Sequence, residues 1–191
     1  MISIAAALLA AGFSSTNTYT PTFPGGLLAW WICSRRKREE IGGWLLFYYW
    51  QLYSGALVTV AFFVAAFQNY VPESFDDSTK YHLVLASAVP TLILFCVQLA
   101  IGTILISVRT WDLLRLLRWV MCAEVLAGLI GTAIDAIYFP DNLFFDFLTV
   151  VPAVLWVAYF FKSRRVVHVF GSHDWNLAVN TMYPPKLLTA A

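Results

Sequence analysis

The sequence predicts an all-α integral membrane protein, a bundle of four transmembrane helices, and its composition and charge-free stretches are what predict it. Of the 191 residues, 60% are hydrophobic and 12% are charged. Soluble domains carry about twice that share of charge, roughly 25%, so this chain has too few charged side chains to cover a water-exposed globule. The uncharged stretches are also long enough for a bilayer, whose hydrocarbon core of about 30 Å needs roughly 20 helical residues.

Two long uncharged stretches predict the first two spans. Residues 41–72 carry no charge and are dense in aromatic and branched side chains, and we place the first span at about 43–68. Residues 81–108 are also uncharged and hold the second span, at about 83–107. Each stretch exceeds the length that one membrane-crossing helix requires.

The third and fourth spans contain a few acidic residues. We predict the third at about 112–138, with Glu124 and Asp135 inside it, and the fourth at about 142–161, with Asp146 near its start. Acids within a span are costly and usually face the interior of a bundle. These spans therefore hold the candidate polar sites of the membrane domain.

Basic residues predict which side of the membrane each end faces. Ten of the twelve Lys and Arg residues precede the first span, separate the second from the third, or follow the fourth. The other two short loops hold one lysine and four acids. Under the positive-inside rule both ends of the four-helix core face the cytoplasm. The same basic groups are candidates for contact with anionic lipid headgroups: Arg35, Arg36, Lys37, Arg38, Arg115, Arg118, Lys162, Arg164 and Arg165.

The chain divides into three regions by this reading. Residues 1–39 form an apolar N-terminal arm and a cytoplasmic basic cluster, residues 40–165 the four-helix transmembrane domain, and residues 166–191 a cytoplasmic tail. The tail has no long periodic or apolar segment, so we expect no separate domain there.

The N-terminal arm leaves two alternatives open. Its apolar run, Ile2–Phe13, has 12 residues and is too short to cross alone. Pro21, Pro24, Gly25 and Gly26 predict a break before the next apolar segment. The arm is either a fifth span or an interfacial or re-entrant element.

Two short motifs resemble those of a known family. The first span opens with Glu40–Leu46, reading E-IGGWLL, and the last closes with Trp156–Phe170, reading WVAYFFKSRRVVHVF. The pairing of IGGWLL with W-x-x-YF-x-x-S-x-RV resembles an uncharacterised family of bacterial four-helix inner-membrane proteins, known only as a domain of unknown function. The resemblance implies a four-helix fold in a bacterial plasma membrane, and it implies no activity.

The third span carries the most suggestive polar pattern. Glu124, Gly128, Gly131 and Asp135 follow one another at four, three and four residues, which places them on one helix face. Glycines allow a neighbouring helix to approach closely, and intramembrane carboxylates serve proton relays, ion pathways or substrate sites. We favour helix or subunit packing, with an ion or proton role, or acids compensated at the membrane interface, as alternatives.

The sequence contains no motif typical of catalysis. It has no P-loop, no G-x-S-x-G, no H-E-x-x-H and no dinucleotide fingerprint, and its three cysteines have no metal-ligand spacing. We therefore expect no enzymatic activity, no metal and no cofactor. With a net charge of +1 we also expect no nucleic-acid partner.

Two functions remain under comparison. The leading hypothesis is a non-catalytic accessory or structural subunit of a larger bacterial inner-membrane complex, such as a respiratory or photosynthetic one, with lipids and other membrane subunits as partners. The alternative is a small solute or proton-coupled transporter or channel-like protein that uses Glu124 and Asp135.

Overall fold

The computed structural model describes residues 22–66, 78–138, 140, 143–172 and 174–182, and it contains no strand within these ranges. The chain is all-helical there, as predicted. The apolar run at 2–13, residues 67–77 (the end of the first predicted span and most of the outer loop that follows it), most of the second outer loop, and residues 183–191 lie outside the described residues.

Seven helices occur in these ranges: α1 Thr22–Arg35, α2 Trp44–Ala66, α3 Ser78–Val108, α4 Trp111–Tyr138, α5 Leu143–Lys162, the single turn α6 Arg164–Val166, and α7 Trp175–Met182. A π-helical turn, Val167–Gly171, follows α6 directly. Helices α2 to α5 lie within five residues of the four predicted apolar segments at both ends. By length and composition, α3 and α4 could each cross a membrane.

Helix α3 begins five residues before the predicted span. It has 31 residues and is about 46 Å long at about 1.5 Å per residue, so it exceeds a hydrocarbon core of about 30 Å. Its helical hydrogen bonding continues through the polar residues Ser78, Thr79 and Lys80, which an apolar pattern does not mark as helix.

Three of the four residues predicted to form a break do not interrupt the helix, and the fourth, Pro21, lies outside the described residues. Helix α1 begins at Thr22, so Pro24, Gly25 and Gly26 lie within it. A proline in the first turn is tolerated because its missing N–H has no helical partner there. With 14 residues, α1 is about 21 Å long and too short to cross a bilayer by itself.

A two-residue turn joins α3 to α4. Arg109 takes the left-handed conformation there, with a φ of 45°, and its Nε donates to the carbonyl of Ile106 at 3.2 Å. A left-handed residue and a basic side chain both satisfy the free carbonyls at a helix end. The turn lets α3 and α4 pack along each other, and α4 packs in the same way along α5.

The core lies at the end of the bundle that carries most of the basic residues, which we call the basic end. The buried cluster takes side chains from the start of α2, the end of α3, the start of α4, the end of α5 and the tail: Leu45, Tyr48, Tyr49, Leu52, Ile101, Leu105, Leu114, Leu117, Met121, Phe160, Val166, Val169, Phe170 and Trp175. Four of these residues lie beyond residue 165, so the first half of the tail packs into the same core as the helices.

Candidate functional site

Arg165 is a buried cation at the basic end. It is 6% exposed, and its guanidinium donates hydrogen bonds to the backbone carbonyls of Lys37 and Gly42 in the segment that leads into α2. Its guanidinium carbon lies 4.5 Å from the ring centre of Trp175 in α7. This one side chain therefore connects the α1–α2 segment, the end of α5 and the tail.

Neither glycine of IGGWLL has room for a side chain. A Cβ on Gly42 would overlap the carbonyl oxygen of Arg36. Gly43 has a φ of +59°, and a Cβ there would lie 3.0 Å from Nη1 of Arg165. Because Arg165 belongs to the S-x-RV motif, the two motifs singled out in the sequence meet here in space.

Aromatic rings extend the same junction into the bundle. Tyr48 lies 4.6 Å from Phe160 and 5.3 Å from Trp156 between ring centres, and Trp44 lies 6.1 Å from Trp156. All three contacts are edge-to-face, the arrangement that aromatic pairs prefer. Trp44 belongs to the first motif, Trp156 and Phe160 belong to the second, and Tyr48 lies two residues after the first.

An ion pair and a further hydrogen bond also connect helices at the basic end. Arg109 Nη1 lies 2.6 Å from Glu40 Oε1, so the α3–α4 turn is tied to the residue that precedes IGGWLL. Arg118 donates from Nε to the carbonyl of Phe160 at 3.0 Å, which ties α4 to the end of α5. Both arginines therefore hold helices together at this end.

The predicted lipid-contact residues divide into two groups. Seven of the nine are exposed at the basic end: Arg35, Arg36, Lys37, Arg38, Arg115, Lys162 and Arg164. Arg118 is partly buried against Phe160, and Arg165 is buried. Arg165 thus differs from the lipid-facing position that we expected, since its guanidinium points at backbone carbonyls of its own chain.

The predicted face of α4 packs against helices of the same chain. A Cβ on Gly128 would lie 3.3 Å from Val150 of α5, and one on Gly131 would lie 3.7 Å from Ser87 of α3. The small residues thus bring neighbouring helices of this chain close. The two acids of the face lie in separate surroundings.

Asp135 lies at the end of the bundle away from the basic end, close to another acid. It is 3% exposed and lies beside Asp146 of α5, which is 5% exposed. Asp135 is therefore enclosed by protein and does not face lipid headgroups. The sequence places Asp146 one turn into a span, which is the signal that could have paired it with Asp135.

Glu124 faces a polar cavity among α2, α3, α4 and α5, with a volume of about 140 Å³. Its polar walls are Tyr48, Gln51, Gln98, Glu124, Thr149 and Trp156. We call this space the polar cavity. Gln51 of α2 and Gln98 of α3 line the same space as Glu124.

Hydrogen bonds between helices organise the cavity walls. Gln98 Nε2 donates to Tyr48 Oη at 3.0 Å, and Trp156 Nε1 donates to Gln51 Oε1 at 2.8 Å. Gln98 is 7% exposed, and its Oε1 has no hydrogen-bond partner among the described residues. This amide oxygen has almost no accessible surface, so it does not face the cavity as the carboxyl group of Glu124 does.

The tail holds a histidine, an aspartate and a serine close together. Asp174 Oδ1 accepts a hydrogen bond from Ser172 Oγ and lies 2.7 Å from His168 Nδ1. The serine donates to the carboxylate and not to the imidazole, so the arrangement does not activate a nucleophile. These hydrogen bonds lower the pKa of Asp174, the one from Ser172 most strongly.

Comparisons with protein-family models, with curated proteins and with solved structures give no significant match to this chain. The resemblance to the four-helix family stays a prediction. Among the described residues, no group of three or more His, Cys, Asp or Glu side chains could hold a metal ion.

Proposed function

We propose that the chain is a four-span protein of a bacterial inner membrane, with α2, α3, α4 and α5 as the spans and both ends of this core in the cytoplasm. Exposed apolar side chains along these helices support the proposal, among them Leu57 at 73%, Phe147 at 68% and Leu126 at 60%. Large contiguous apolar surfaces are uncommon on soluble monomers and suit a lipid environment. Seven exposed cations at one end agree with the positive-inside rule.

In this membrane we propose a non-catalytic role as an accessory or structural subunit of a larger complex. The observation that carries it is the far half of α2, where Leu57, Val58 and Val60 are 73%, 59% and 62% exposed. At about 100° per residue these three side chains cover almost half of the helix circumference. Helix α2 has few close contacts with α3, so its apolar surface is open to a helix of another subunit.

Site-specific photo-crosslinking tests this role. A photoreactive amino acid replaces Leu57 on α2 or, as a matched control, Phe147 on α5, which is similarly exposed at 68%. We expect position 57 to crosslink to a second membrane protein in intact cells and position 147 to crosslink mainly to lipid. Lipid adducts alone at position 57, together with an isolated monomer in native mass spectrometry, would rule out the accessory role.

A second candidate is carboxylate-dependent transport, and the polar cavity around Glu124 is the observation that favours it. Intramembrane acids that face a cavity commonly mark ion or substrate pathways. Flux through reconstituted protein should fall strongly in Glu124→Gln and in Asp135→Asn. Asp112→Asn, an exposed acid on the same helix, is the control. Flux that survives both changes would exclude a carboxylate mechanism.

A further inference from the structure

The polar cavity holds a carboxyl group without a counter-charge in its walls. Glu124 supplies this group, whereas the amide oxygen of Gln98 has almost no accessible surface and does not face the space. A buried acceptor without a donor is destabilising, and a buried carboxylate without a counter-charge more so. The lining residues include no Lys, Arg or His. A ligand that fits this space therefore brings both hydrogen-bond donors and a positive charge.

The remaining walls suit an organic cation. Tyr48, Phe95 and Trp156 line the cavity, and the rings of Tyr48 and Trp156 lie 5.3 Å apart between centres. Aromatic faces attract ammonium groups, most strongly where water is excluded. A metal ion gains less from such walls, because it needs several oxygen ligands in their place.

The size of the cavity limits the ligand. Its volume of about 140 Å³ is less than half of the roughly 300 Å³ at the lower end of drug-sized pockets. Only a molecule of a few non-hydrogen atoms fits. The polar cavity also shares Gln51, Pro152 and Trp156 with a groove on the outer surface of α2 and α5, which offers a route of entry.

We propose that the polar cavity binds a small organic ammonium ion, with Glu124 as its counter-ion and the rings of Tyr48 and Trp156 as its walls. The proposal goes beyond the accessory role. It depends neither on a partner subunit nor on transport, because it concerns binding to the isolated chain.

Equilibrium binding to the full chain in lipid nanodiscs tests the site. Methylammonium chloride is titrated by calorimetry, with NaCl and KCl as competitors at equal ionic strength. We expect saturable binding that weakens about ten-fold or more in Glu124→Gln, because the change removes the counter-ion. Asp112→Asn should bind like the wild type. Sodium and potassium should compete only at large excess.

The alternative outcomes overturn the proposal. Equal affinity in Glu124→Gln would place the cation elsewhere, and competition by K⁺ at equal concentration would indicate a metal-ion site. If Glu124→Gln fails to fold, infrared difference spectra of the wild-type protein decide the question. Methylammonium should then perturb a carboxyl band, and an unchanged carboxyl region would exclude Glu124 as the counter-ion. A failed crosslink at position 57 leaves all of these measurements unaffected.

Discussion

At the scale of single residues, Arg165 has the most consequential position among the basic side chains. A lysine there could not reproduce its contacts, because a planar guanidinium donates to two carbonyls and stacks on an indole at the same time. The carbonyls of Lys37 and Gly42 and the ring of Trp175 all depend on it. One side chain thus connects three segments that are distant in sequence.

Replacing Arg165 should destabilise the protein strongly. We expect Arg165→Met to lower the free energy of unfolding by about 3 kcal/mol, because two charge-assisted hydrogen bonds are lost at a buried position. Arg165→Lys should lower the free energy of unfolding by less. The exposed neighbour is the control, and Arg164→Met should change stability by less than about 0.5 kcal/mol. Denaturation in detergent micelles, followed by tryptophan fluorescence, measures the free energy of unfolding of each variant. Equal unfolding midpoints for the two Met variants would contradict the structural role of Arg165.

Replacement by alanine should change the stability of the protein in opposite directions at Gly43 and at Gly26. Gly43 has a φ of +59°, where an L-residue is strained, and its Cβ would press on Arg165. We expect Gly43→Ala to lower stability by about 1–2 kcal/mol. Gly26 lies inside α1 with nothing within 4 Å of a Cβ, so Gly26→Ala should raise stability by up to about 1 kcal/mol. The same unfolding measurement compares the two variants. A change in stability of the same sign in both would refute the argument from backbone conformation.

At the scale of elements, the start of α7 depends on Asp174. Its carbonyl accepts hydrogen bonds from the backbone N–H groups of Leu177 and Ala178, at 2.9 and 3.0 Å. Its carboxylate accepts from Ser172 and His168. A negative charge at a helix N-terminus is also stabilised by the helix dipole. The docking of α7, which carries Trp175, is therefore supported by a titratable group.

The docking of α7 should weaken in acid. The hydrogen bond from Ser172, and then that from His168, lower the pKa of Asp174 below its ordinary value of 3.8. A depressed pKa in the folded state means that this stabilisation is present above pH 3.8 and is lost as the pH falls through the lower folded value.

Comparison of wild type with Asp174→Asn isolates this effect from other acids. We expect the variant to melt at a slightly lower temperature at neutral pH, with the difference disappearing in strong acid. Circular dichroism melts over a pH series measure it. A difference between the two proteins that stays constant with pH would show that the carboxylate charge does not contribute.

At the scale of the whole molecule, helix positions could be predicted well because hydropathy and charge vary along the chain itself. The predicted third segment, 112–138, differs from α4 by a single residue. Helix ends outside the apolar pattern, such as the start of α3, could not be predicted. Nothing in the sequence around Trp175 indicates that it packs on Arg165, because that contact exists only after the tail folds back.

The candidate site was predictable only in part for a similar reason. The spacing of Glu124 and Asp135 places them on one face of a helix, but neighbouring helices decide what each acid meets. Gln98 meets Glu124 in the polar cavity, and Asp146 meets Asp135, through the packing of α3 and α5 on α4. Helix packing is not encoded in local periodicity, so the separation of the two acids needed the structure.

The orientation of the whole bundle gives the last prediction. If α2 to α5 cross the membrane, the positive-inside rule predicts that the basic end lies in the cytoplasm, because seven exposed cations lie at that end. Ser78 begins α3 at the opposite end, whereas Arg115 and Arg164 are exposed at the basic end.

In a background without the native cysteines, Ser78→Cys should react with a membrane-impermeant maleimide in spheroplasts. Arg115→Cys and Arg164→Cys should react only after the membrane is opened. Labelling of all three in sealed spheroplasts would contradict the four-span topology, and the reverse pattern would show that the bundle is inserted the other way round.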